Sequence, residues 1–144
     1  MAQKRLRKDV SSITESMLLY HHYPTPSQLV RNAIWYFMYE ILSVNYPLRI
    51  LDHSCGTGVW NAVGAELLPD SYRVNVEYQV ALPVRYETAH EWHMGVRFKD
   101  YVKEFLKEHH ESPAIHPLFD IAWGNFPFKE GEEFIHESGK ILTD

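Results

Sequence analysis

Apolar residues recur at three- and four-residue spacing from Leu29 through Val30, Ala33, Ile34, Phe37, Met38 and Ile41 to Leu42, which is the repeat of one helical face. Just ahead of them, Tyr23-Pro24-Thr25-Pro26-Ser27-Gln28 supplies a start signal: Thr25 caps, Pro26 suits the first helical position and Gln28 completes a capping box. Pro47 closes the segment. Leu48-Arg49-Ile50-Leu51-Asp52 then reads as a short strand aimed into the turn His53-Ser54-Cys55-Gly56-Thr57-Gly58, and a helix from Val59 to Leu68 stops at Pro69. Tyr72-Arg73-Val74-Asn75-Val76-Glu77 is β-rich and partly alternating, a second strand ending on an acid.

From Gln79 to Gly95 the chain is polar and aromatic with no clean period. Val96-Arg97-Phe98 suits a third strand, with Asp100 capping a helix in which Tyr101, Val102, Phe105 and Leu106 share a face. A proline-containing loop, Ser112 to Leu118, leads to a fourth strand, Phe119 to Gly124, which runs straight into Asn125-Phe126-Pro127-Phe128. A last helix carries Phe134, Ile135, Ser138, Ile141 and Leu142. Strands that alternate with helices imply an α/β fold with a mostly parallel sheet, because right-handed crossovers lay the helices on its faces. Residues 1–22 lack strong periodicity and read as a flexible basic segment ahead of one domain, residues 23–144.

Composition narrows the function classes. With 45% hydrophobic and 14% aromatic residues in 144 positions, the chain can build a core. Lys4, Arg5, Arg7 and Lys8 carry four of its 14 basic groups, which leaves 10 against 19 acids, a balance of -9, beyond residue 8. Counterion displacement by a basic stripe is therefore not available to the globule, which counts against a stand-alone duplex binder but not against base chemistry in a small pocket. Cys55 is the single cysteine, so no intramolecular disulfide and no thiolate-based zinc site forms within the chain, and a reducing, cytoplasmic setting fits. No run approaches the ~20 apolar residues of a membrane span. The nine histidines do not suggest a metal centre: His90-Glu91-Trp92-His93 has the wrong spacing for His-Glu-x-x-His, and His109-His110 cannot both face one ion from a helix. Cys55 as a nucleophile has no histidine and acid arranged in support, and it reads as a small residue filling a turn.

In open parallel sheets a ligand binds at the carboxyl ends of the strands, beside the point where strand order reverses. Three features converge there. The glycines of Asp52 to Gly58 let the backbone turn tightly and approach a ligand at a helix start. Glu77, about 20 residues on, can accept both hydroxyls of a ribose. Asn125, with a neighbouring backbone carbonyl, can accept the two hydrogens of an exocyclic amine, localise its lone pair and align it with an electrophilic methyl, while Phe128 stacks on the ring. Each has a plainer alternative: a structural turn, an exposed strand-end acid, and a strand-to-helix turn with two core phenylalanines.

In this order the residues resemble the class I S-adenosylmethionine-dependent methyltransferases, in particular the N6-adenine DNA methyltransferases, over roughly Tyr23 to Leu142. Ile50 to Gly58 is similar to the family's cofactor loop Asp-Pro-Ser-Cys-Gly-Thr-Gly, through Asp52, Ser54, Cys55, Gly56 and Gly58. Tyr23-Pro24-Thr25-Pro26 resembles a Thr-Pro segment lying against the methionine part of the cofactor. Glu77 matches the ribose-holding acid, Tyr78 the side chain flanking the cofactor adenine, and Asp100 the carboxylate that bonds the adenine amine, beside its reading as a helix cap. Asn125-Phe126-Pro127-Phe128 looks like the catalytic Asn-Pro-Pro-aromatic motif. The resemblance implies a Rossmann-like methyltransferase fold whose C-terminal part of the sheet is incomplete. It also implies S-adenosylmethionine as cofactor, DNA as substrate with adenine N6 as acceptor, no metal, and a homo-oligomer or partner chain completing the sheet.

Two positions depart from the pattern. Phe126 stands in place of a proline, which keeps the accepting carbonyl but loosens the backbone presenting it. His53 replaces another proline and brings a bulky, titratable ring beside the cofactor loop, which weakens the fit. Alternative readings are a non-catalytic module that binds the cofactor without turnover, methylation of a protein glutamine or small amine, and, more distantly, an enzyme that consumes the cofactor.

Overall fold

The computed structural model describes residues 25–43, 47–79 and 88–143. The basic segment 1–22 and the residues Tyr23-Pro24 lie outside the described residues. Described elements follow the order α1 (Ser27–Tyr36), α2 (Met38–Leu42), β1 (Arg49–Asp52), α3 (Val59–Leu67), β2 (Tyr72–Glu77), β3 (Glu91–Met94), α4 (Phe98–Glu111), β4 (Ile121–Trp123), a 3-10 turn (Phe128–Glu130) and α5 (Gly131–Gly139).

The first helix corrects the periodicity reading in two ways. Pro26 has ψ 135, so helical geometry starts at Ser27, and no side chain caps the end. Instead the Pro26 carbonyl accepts from Leu29 and Val30 N–H at 3.0 and 3.2 Å, and Gln28 donates to Asn32 at 2.9 Å rather than closing a capping box. The helix then breaks at Phe37, where φ -97 and ψ 7 shift the phase of the apolar repeat between α1 and α2. Val30, Ile34 and Ile41 remain buried, whereas Leu29 and Phe37 are 59% and 54% exposed. Trp35, Tyr36 and Tyr39 are exposed beside them.

The four described strands form one parallel sheet in the order β3-β2-β1-β4. Residues alternate across it. Leu51, Val74 and Val76 face a core shared with Phe98, Tyr101, Val102 and Phe105 of α4 and Phe134 of α5. Ile50 faces the opposite core with Val30 and Ile34 of α1 and Val63 of α3. Helices thus cover both faces, as parallel strands require.

The third strand is Glu91–Met94, not Val96-Arg97-Phe98. All four of its residues are only half-buried, which is the signature of an edge strand and hides the alternation that identifies inner ones. Gly95 and Val96 N–H turn back to the Glu77 carbonyl, and Phe98 already opens α4. Arg97 therefore occupies the cap position, and Asp100 is an exposed residue of the first helical turn with no capping bond. β4 is shorter than the predicted Phe119 to Gly124. Phe119 instead bridges in parallel to Leu142, with Phe119 N–H donating to the Ile141 carbonyl at 2.9 Å and Thr143 N–H to the Phe119 carbonyl at 2.8 Å. Ile141 and Leu142 lie past the end of α5, and Ile135 is exposed.

Candidate functional site

The chain steps from β1 to β2 to β3 in one direction and then crosses back to lay β4 on the other side of β1. The reversal opens between the carboxyl ends of β1 and β4, where the Asp52 to Gly58 loop and the Gly124 to Phe128 turn begin. Open parallel sheets bind ligands at such a reversal of strand order, which makes this the candidate site.

The loop is held to β2 at its middle, by two successive N–H groups. Cys55 N–H donates to the Val76 carbonyl at 3.0 Å, and Gly56 N–H donates to Glu77 Oε1 at 3.1 Å. Gly58 then takes φ 95 as the residue before α3, and its N–H reaches the Cys55 carbonyl at 2.8 Å. A side-chain carbon on Gly58 would stand 2.6 Å from the Trp92 ring of β3, so conformation and space both call for glycine. Cys55 is buried within this turn, consistent with a space-filling role.

Two carboxylates border the loop. Asp52 is fully buried; Oδ1 accepts from Ser54 N–H at 3.2 Å, and Oδ2 has no hydrogen-bond partner among the described residues. Burial drives its pKa well above the ordinary carboxylate value, with the charge of Glu77 adding to the rise against the Ser54 bond. Glu77 is also pushed up by burial, opposed by bonds from the Tyr78, Gln79 and Gly56 N–H groups. Its Oε2 accepts from Tyr78 N–H at 2.7 Å. A carboxylate has about four acceptor positions, so these bonds orient Glu77 without saturating it.

The fourth strand closes on the first. Gly124 has φ 134, and a Cβ there would lie 2.5 Å from Asp52 Oδ1 and 3.3 Å from the His53 ring. Asn125 follows, exposed at the rim, while the Phe126 ring turns inward. Its centroid lies 5.5 Å from His53 and 5.9 Å from Phe134, and it passes 2.9 Å from where a Cβ on Gly131 would be. Pro127 leads into the 3-10 turn with φ -57. The side chain of Phe128, and hence its stacking role, lies outside the described residues.

His53 stands at this same junction, with its ring packed against the core. It is 7% exposed, lies between Phe98 at 5.6 Å, Phe126 at 5.5 Å and Phe134 at 5.3 Å, and has Nδ1 3.1 Å from Ser54 Oγ. Burial lowers its pKa to about 4. Tyr78 is exposed beneath the Arg97 guanidinium, 5.1 Å from the ring centroid, and Asp100 sits one helical turn further. Thr25 is half-buried ahead of α1.

One contributor escaped the sequence reading. Asn61 of α3 is fully buried; its Nδ2 donates to the Val74 carbonyl at 3.0 Å and Asn75 Oδ1 at 2.6 Å, and its Oδ1 accepts from Trp123 Nε1 at 2.9 Å. One amide thus links β2, just before Glu77, to the last residue of β4, just before Gly124. Its signal was present as an amide set among Val59, Ala62 and Val63.

Among the described residues no three histidine, cysteine or acidic side chains group to hold a metal, and no helix is long and apolar enough to cross a membrane. No protein-family model matches the chain, and no curated protein matches its sequence.

Proposed function

We propose that the chain binds S-adenosylmethionine at the β1–β4 crevice and directs its methyl group to an amine held by Asn125, with N6 of adenine in DNA as the acceptor. The observation that carries this reading is the convergence of three separate chain segments. Gly56 is bonded to Glu77, and Gly124, next to Asn125, is pressed against Asp52.

The residues present fit such a cofactor. Asp52 Oδ2 is an orphaned buried acceptor, and Glu77 is an oriented carboxylate with acceptor capacity left for a ribose hydroxyl. Asp52, the loop residues Ser54 to Gly58 and Glu77 would hold the group, with Tyr78 and Asp100 on the side of its base. The chemistry it supplies when bound is an electrophilic methyl on a sulfonium. Asn125 and the Phe126 carbonyl accept the amine hydrogens, which keeps the nitrogen lone pair directed and makes the amine a better nucleophile. Burial favours the neutral form of Asp52, and a cation bound beside it would draw it back towards the carboxylate, because opposite charges interact strongly away from water.

A second acceptor class draws support from the rim itself. Glu130, Glu132 and Glu133 are exposed directly after the Asn125 turn, with Lys129 as the single basic residue among them. Phosphates would meet negative charge there, which favours a neutral amide or amine of a protein or small molecule.

Calorimetric titration with S-adenosylmethionine tests the cofactor, with binding expected and lost in Asp52→Ala and Glu77→Ala. Transfer of labelled methyl to DNA or to a glutamine-containing peptide, abolished by Asn125→Ala, tests the chemistry and separates the acceptors. Absence of binding by the intact protein overturns the reading. Binding without transfer to any amine leaves a cofactor-binding module in its place.

A further inference from the structure

We propose that His53 and Phe126 form an aromatic clamp that fixes the Asn125 turn against the Asp52 to Gly58 loop, with His53 as a positioning residue acting through Phe126. The two residues depart from the motifs independently in the sequence, 73 positions apart, yet their rings meet at 5.5 Å. They stand at the two segments whose relative position defines the crevice. His53 follows Asp52 at the end of β1, and Phe126 follows Asn125 two residues beyond Gly124.

The surroundings leave the pair one arrangement. Phe134 lies 5.3 Å from His53 and 5.9 Å from Phe126, and Phe98 stacks on Phe134 at 5.2 Å, so helices α4 and α5 back the clamp from behind. Gly131, the first residue of α5, has no Cβ to collide with the Phe126 ring, which would otherwise pass at 2.9 Å. Gly124 likewise leaves room for the His53 ring at 3.3 Å. Two glycines thus make space for two rings, and close packing of this kind resists compression and transmits a shift at one ring to the other. The main chain that would present Asn125 and the Phe126 carbonyl gains from ring packing the rigidity that a proline would supply through its fixed φ. The clamp holds the turn whether or not a methyl group is transferred.

Hydrogen–deuterium exchange of the full chain, measured without ligand, tests the clamp with His53→Ala, Phe126→Ala and the double variant. Phe126→Ala is expected to speed exchange about tenfold in residues 53–58, and His53→Ala to do so in residues 124–128, a factor typical of contacting side chains. Exchange in β2 stays unchanged, and the double variant is no faster than the faster single. His53→Phe, which keeps a ring, retains the protection. Effects confined to each variant's own segment, effects that multiply in the double, or a His53→Phe that behaves as His53→Ala would each overturn the proposal. Should the alanine variants not fold, Phe126→Leu and His53→Leu supply the same comparison. Because no cofactor is present, failure here is separate from failure of the proposed activity.

Discussion

The α-carbon of Gly124 is packed so tightly against Asp52 that any side chain at 124 would meet the carboxylate at 2.5 Å. With φ 134 in a region reserved for glycine, substitution adds backbone strain to a collision with a fully buried group. Gly124→Ala is expected to destabilise by about 2 kcal/mol or more, read from urea denaturation at neutral pH. Unchanged stability would mean that β1 and β4 do not meet as described.

Adjacent residues Asp52 and His53 should impose opposite pH slopes. Asp52 holds its proton more tightly folded than unfolded, so its contribution is present below about pH 3.8 and lost as pH rises through its raised folded value. His53 is depressed from 6.5 to about 4, so its contribution is full above pH 6.5 and lost as pH falls towards 4. A shift of that size corresponds to about 3 kcal/mol. His53→Phe should flatten the loss of stability between pH 6.5 and 4, while Asp52→Asn should gain stability relative to the native protein as pH rises above 4. Denaturation midpoints across pH 4 to 8 check both signs.

Replacing Asn61 by leucine keeps the volume but strands the Trp123 indole N–H, Asn75 Oδ1 and the Val74 carbonyl inside the protein. The cost should be about 3 kcal/mol, given the desolvation penalty of each buried group left unpaired. Asn61→Asp, which still accepts from Trp123 but cannot donate to β2, should show that both halves of the amide matter. An indole N–H resonance of Trp123 that shifts in the leucine variant and stays in the aspartate one would locate the effect.

Phe126→Pro is expected to destabilise rather than rigidify. The phenylalanine ring occupies the space among His53, Phe134 and Gly131, and removing it leaves a gap worth about 2 kcal/mol for a half-buried ring. Thermal melting of the variant checks the direction; a rise in midpoint would show that backbone restriction outweighs the lost packing.

Much of the architecture is legible in the sequence. Tyr72–Glu77 is a strand with the predicted bounds because its two β-branched residues, Val74 and Val76, share one buried face, and α3 begins at Val59 as expected because Gly58 and the turn before it signal a helix start. β3 was missed because Glu91, Trp92, His93 and Met94 are all half-buried at an edge, and no alternation reports which face is which. The break at Phe37 was missed since both halves carry apolar residues at helical spacing, and a phase change is invisible to a spacing count. For the candidate site, Asp52, Gly56, Glu77 and Gly124 meet where a parallel strand order brings strand ends together. The inward turn of Phe126 and the reach of Asn61 depend on packing between residues far apart in the chain, and no local pattern encodes that.

The bridge from Phe119 to Leu142 bears on synthesis as well as on shape. Parallel neighbours of β4 exist on one side as soon as β1 is made, but the Ile141 and Thr143 groups that bond Phe119 are added 22 or more residues after it. Closure at Phe119 therefore waits for the segment beyond α5, which makes it one of the last couplings this stretch of chain can form and ties the order of folding to the order of the sequence.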